Sequence, residues 1–98
     1  MTYREIKQLD KAIQAQSALI KVYESQNDVS ALSEAREKQN ELCCKRASEI
    51  NRLPIETLEG SCLYLRLVKD YSWPQIAMQV GGGNTENGIR MRCTRFHW

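Results

Sequence analysis

Residues 2–52 contain neither glycine nor proline and are rich in Lys, Glu, Gln, Ala and Leu. A stretch of that length without a breaker, built from residues of high helix propensity, has helix as its default state. Within it Ile6, Leu9, Ile13, Ile20 and Tyr23 recur at spacings of three and four, with Gln16 interrupting the series. That spacing marks the buried stripe of an amphipathic helix. Gln26, Asn27 and Asp28 break the pattern, and Asn and Asp suit turns and caps. Ser30 is expected to cap a second helix, with Glu34 in its first turn. That helix carries Leu32, Ala35, Leu42, Cys43, Ala47, Ile50 and Leu53 as its apolar face. Two helices of similar length with a short connection predict an antiparallel helical hairpin over residues 1–53. Gln39 sits near the expected seam and thins it. Such a hairpin is expected to rest on the rest of the chain or on a partner, a coiled-coil dimer being one form of that partner.

Breakers appear only from Pro54 onward. Leu53-Pro54 ends the second helix, because the residue before proline disfavours the helical region. A third helix is predicted from about Pro54 to Lys69, with the proline in its first turn and Glu56 and Glu59 at the positive end of its dipole. Leu58, Cys62, Leu65 and either Val68 or Tyr71 form its expected buried face, and Gly60 is expected to weaken it slightly. Ser72 reads as an N-cap and Pro74 as a first-turn residue of a fourth helix, Trp73 to Val80. Gly81, Gly82 and Gly83 stop it, since a tight turn needs the positive φ that glycine supplies. Asn84 or Thr85 then caps a fifth helix that spans 85–97 and runs to near the end, with Ile89, Cys93 and Phe96 on its underside. The fold class is therefore all-α: a helical hairpin, then a three-helix unit over residues 54–98.

Bulk properties narrow the function. Ninety-eight residues make one domain, or one small domain with an appendage, and offer little room for a deep catalytic pocket. The net charge is +2, and each half contributes +1, so overall charge does not by itself argue for nucleic acid. The local cluster Arg90, Arg92 and Arg95 is the feature that does. Four cysteines, none in a Cys-x-x-Cys pair, and one histidine argue against structural zinc. They read as reduced thiols in a cytoplasmic protein. No signal peptide is apparent, and no apolar run is long enough to cross a bilayer. No paired carboxylates, triad, phosphate loop or metal cluster is present, so the chain is not expected to be an enzyme and no cofactor or metal is expected.

Two short helices joined by a glycine turn, the second rich in arginine, predict a helix-turn-helix. The run Leu63-Tyr64-Leu65-Arg66-Leu67-Val68-Lys69-Asp70-Tyr71-Ser72-Trp73-Pro74-Gln75-Ile76-Ala77, followed by Val80-Gly81, resembles the DNA-binding fourth region of bacterial sigma factors. Members carry a similar Leu-x-Leu-Arg entry helix and a Ser-Trp-x-Glu-Ile-Ala segment. Ile89-Arg90-Met91-Arg92-Cys93-Thr94-Arg95 is similar to the family's recognition helix. The resemblance covers roughly Leu58 to Phe96 and most closely fits the small phage- and prophage-borne regulators that carry this unit alone. It has two departures. The turn is about two residues longer than usual, through Gly82, Gly83 and Asn84, and Asp70 stands where many members have glycine.

The resemblance implies a sequence-specific transcriptional regulator whose last helix enters the major groove of double-stranded DNA. Glu86, Asn87, Arg90, Met91 and Thr94 would face the bases, where Arg suits guanine and Asn suits adenine. Thr85, Arg92 and Arg95 would hold phosphates. Considered alone, three arginines on a short helix are more simply a solvated face; the helix-turn-helix setting tips the balance. A homodimer is expected, which would let two half-sites add their binding energies, and RNA polymerase or another host protein is a further candidate partner. A second reading, of another class, is a small mobile-element protein that binds and inhibits a host protein such as a Cas nuclease through its helical surface. Membrane partners are not expected.

Overall fold

The computed structural model describes every residue from Met1 to Trp98. The chain is all-helical, with five helices in order: α1 Tyr3–Gln26, α2 Val29–Asn51, α3 Leu58–Leu67, α4 Trp73–Val80 and α5 Glu86–Arg95. No helix is long and apolar enough to cross a membrane. Residues Glu5–Ser48 form one compact unit, and Met1–Arg4 join Glu49–Trp98 in the other. The first four residues thus belong with the last half of the chain, a grouping that local sequence does not reveal.

In the unit Glu5–Ser48, α1 and α2 run antiparallel. Arg46 Nε donates to Asp10 Oδ1 at 2.5 Å, Gln39 Nε2 to Ser17 Oγ at 2.6 Å and Arg36 Nη2 to Glu24 Oε1 at 3.1 Å. Residues rising along α1 meet residues falling along α2, the pairing an antiparallel hairpin requires. The turn is set by Asn27, held at φ 55°, a conformation that Asn tolerates better than most residues. Asp28, not Ser30, caps α2: its Oδ1 accepts from the Ala31 backbone N–H at 3.1 Å. The cap falls two residues early because the tight Asn27 turn already delivers the chain in helical register at Val29. The seam is more polar than its apolar spacing promised. Only Ile6 and Ala35 are fully buried in this unit, while Cys43 and Ala47 are exposed.

The second unit is a three-helix bundle in which α3, α4 and α5 pack pairwise against one another. Its core is Leu53, Cys62, Leu63, Leu67, Trp73, Ile76, Ile89 and Cys93. The third helix starts later than the proline predicted. Pro54 lies in a turn, where its carbonyl accepts from both the backbone N–H and the hydroxyl of Thr57, and Thr57 then caps α3. Its buried face is Cys62, Leu63 and Leu67, with Leu65 half-buried and Val68 exposed. Gly60 is not a mere weak point in that helix. A Cβ there would sit 1.9 Å from the Pro54 carbonyl oxygen, so the turn can close over the helix only on glycine.

The turn between α3 and α4 is built on a strained residue and closed by side chains. Asp70 adopts φ 57°, the left-handed conformation that glycine would take without strain. Tyr71 N–H reaches back to the Leu65 carbonyl at 3.0 Å. Arg66 closes the corner, donating to the Tyr71 carbonyl at 3.0 Å with its guanidinium 5.2 Å from the Trp73 ring centroid. Tyr3 meets the same tryptophan edge-on at 5.6 Å. Arg66 is thereby a packing residue.

Candidate nucleic-acid interface

The helix that carries the predicted contact residues is held from both ends and from below. Upstream, Ser72 and Gln75 form a capping box at the start of α4: the Gln75 N–H donates to Ser72 Oγ, and the Ser72 N–H donates to Gln75 Oε1 at 2.8 Å. That box, with Pro74 in the first turn, fixes where α4 begins. Its far end is stopped by Gly81, Gly82 and Gly83, at φ 64°, 63° and 80°. The extra turn residues are ordered by Asn84, whose Nδ2 donates to the Gly81 carbonyl at 2.9 Å. Thr85, rather than Asn84, caps α5 and accepts from the Gly88 N–H at 3.1 Å.

Underneath, Ile89 and Cys93 are 1% exposed and lock α5 into the bundle. The Cys93 thiol donates to the Glu59 carbonyl of α3 at 4.0 Å, with Cys62 beside it. Burial, with Cys62 beside it, pushes the Cys93 thiol up to about 12, and burial raises Cys62 as well. Both are therefore unreactive packing thiols. All four cysteines are free.

The helix ends at Arg95, two residues short of the predicted limit. Phe96 is extended, and the last residues pair with the amino terminus. His97 bridges Thr2, Trp98 N–H donates to the Met1 carbonyl at 2.9 Å, and the Met1 ammonium donates to the Trp98 carbonyl at 2.6 Å. The Trp98 indole donates to the Glu49 carbonyl at 2.9 Å and stacks on Phe96 at 6.4 Å. Backbone groups that would have extended α5 find these partners instead, so the helix stops. The backbone partners of His97 and Trp98, Thr2 and Met1, lie almost a full chain length away, out of reach of any local pattern.

All eight predicted site residues, on α5 and its cap, are exposed: Thr85, Glu86, Asn87, Arg90, Met91, Arg92, Thr94 and Arg95. They differ in how free they are. Arg95 has no ion-pair or hydrogen-bond partner. Arg90 Nη2 donates to Asn87 Oδ1 at 3.3 Å, a contact within the helix that joins the two side chains best suited to base edges. Thr94 Oγ1 donates back to the Met91 carbonyl at 3.2 Å. Arg92 is the exception. Its Nε and Nη2 both donate to Glu59 Oε1, at 3.1 and 2.6 Å, tying α5 to α3. The Glu59 carboxyl is held below its ordinary range, first by a backbone N–H at the start of α3 and then by Arg92. The arginine cluster thus splits by position: Arg90 and Arg95 are available to a ligand, and Arg92 is engaged while still half-exposed.

No grouping of His, Cys, Asp and Glu could hold a metal ion. No known protein-family description, curated protein or solved structure matches the chain.

Proposed function

We propose that the chain is a sequence-specific DNA-binding regulator of transcription, of the kind carried by phages and prophages, with α5 as its recognition helix. The observation that carries this reading is the two-sidedness of α5. One side is anchored through Ile89 and Cys93, and the other offers Asn87, Arg90, Met91, Thr94 and Arg95 to solvent on a rigid, capped helix. A helix about this long fits the major groove. Arg90 and Asn87 read base edges, with Met91 and Thr94 making apolar contact. Arg95, Thr85 and the free edge of Arg92 hold phosphates. Glu86, in the first turn, disfavours a phosphate near the start of the helix and so helps to set its register.

Fluorescence anisotropy on duplexes spanning the promoters of the encoding element tests this. Binding is expected to weaken steeply with salt, as phosphate contacts demand. Arg90→Ala is expected to cost about 1–3 kcal/mol and relax base preference, whereas Arg95→Ala weakens all duplexes alike and lowers the salt slope. Association that is absent, or indifferent to both substitutions, refutes the reading.

A further inference from the structure

Helix α1 carries a second stripe beside the one that meets α2. It comprises Gln8, Ala12, Ala15, Leu19, Val22 and Gln26, again at spacings of three and four. Leu19 and Val22 are 40% and 46% exposed, Ala15 is exposed and Ala12 half-buried. We propose that this stripe is the contact between two copies of the chain, with their α1 helices antiparallel about a two-fold axis that crosses the stripe between Ala15 and Leu19.

The order of side chains carries the argument. Turning the stripe end over end onto itself sets Ala12 against the partner's Val22, Ala15 against the partner's Leu19, and Gln8 against the partner's Gln26. Every apolar layer then joins a small residue to a large one, which is how facing helices interdigitate at native density. The outer layers are glutamine pairs, whose amides both donate and accept. A parallel pairing would instead stack Leu19 on leucine and Ala15 on alanine, crowding one layer and leaving a void in the other. Ala18 falls next to its own copy at the axis and permits close approach, and Lys11 lies near the partner's Ser25, so no like charges oppose each other. Self-complementarity of one patch is the condition a two-fold contact imposes, and no other class of partner requires it.

The hairpin also needs such a partner. The unit Glu5–Ser48 buries only Ile6 and Ala35 fully and is crossed by the polar pairs Asp10–Arg46 and Ser17–Gln39. A unit this small seldom holds its fold without further burial. An open depression of about 170 Å³, lined by apolar Leu19, Tyr23 and Ala35 and by polar Gln16, Glu34 and Lys38, borders the stripe. Two hairpins joined at α1 would make a four-helix bundle that extends burial toward it.

Sedimentation equilibrium of the full chain under reducing conditions, without DNA, tests this. A reversible dimer is expected. Leu19→Lys with Val22→Lys is expected to weaken it by roughly a hundredfold or more, because charges would be forced into the contact. Circular dichroism should show the helices retained, since both residues are exposed in the single chain. Ala15→Leu alone, which puts two leucines in one layer, is expected to weaken the dimer, and adding Leu19→Ala restores it by exchanging large for small. A wild-type chain that stays monomeric overturns the proposal, and so does a dimer that ignores the two lysines. Neither result bears on α5, because no DNA is present.

Discussion

At the scale of single residues, the unit Met1–Arg4 with Glu49–Trp98 depends on a few positions that look unremarkable in the sequence. Gly60 reads as a slightly weak helix residue, yet the Pro54 carbonyl lies where its Cβ would be. Gly60→Ala is expected to destabilise the chain by about 1–3 kcal/mol, the usual cost of overpacking, measured as a lower denaturant midpoint at unchanged slope. Asp70 is the converse case. Its backbone is left-handed, a conformation that glycine takes without strain and aspartate tolerates better than most residues. Asp70→Val is expected to lose about 1–2 kcal/mol, whereas Asp70→Gly loses nothing by the same measurement. Buried Cys93 links stability to alkaline pH. Burial holds the proton on its native thiol up to about 12, well above the range of a solvated thiol. The unfolded chain gives up that proton first, so the contribution is complete below pH 9 and is lost as pH rises toward the native value. Thermal melts are expected to fall above pH 9 more steeply for the wild type than for Cys93→Ala.

At the scale of elements, what decides each boundary is a cap or a competing partner, not propensity. The start of α4 was legible, because Ser72, Pro74 and Gln75 form a local signature and the capping box satisfies it within four residues. Ser72→Ala is expected to cost about 1 kcal/mol, read from the shift in melting temperature. The start of α3 was not legible. Pro54 permits a helix at once, and only the Thr57 bonds to its carbonyl defer it. The arginines of α5 were legible as a cluster but not as separate roles, since Glu59 sits thirty-three positions from Arg92. Arg92 is half-exposed in its pair with Glu59, so Arg92→Ala should lower stability by no more than about 1 kcal/mol. Its sign with pH is opposite to that of Cys93. The Glu59 carboxyl is held low in the folded chain, so its contribution is present at neutral pH and is lost as pH falls through the acid range. Melting curves from pH 7 to pH 3 should lose that increment in the wild type and not in Glu59→Gln.

At the scale of the whole molecule, sequence determined the class of structure and the order of its parts. Unbroken helix formers, three-and-four apolar spacing and breakers gathered after residue 53 leave only helices, a hairpin first and a short bundle after it. These are local signals, each complete within a turn or two of chain, and local chemistry suffices to read them. The tertiary structure alone decided what crosses the chain. It joined Met1–Arg4 to the carboxy-terminal unit, ended α5 by pairing its last residues with Met1 and Thr2, and bound Arg92 to Glu59. It also made the hairpin seam polar, leaving Leu19 and Val22 outside it. Such choices depend on which groups find partners far along the chain. Spacing can show that a side chain lies on a face, but the free energy of desolvation and pairing settles what that face meets.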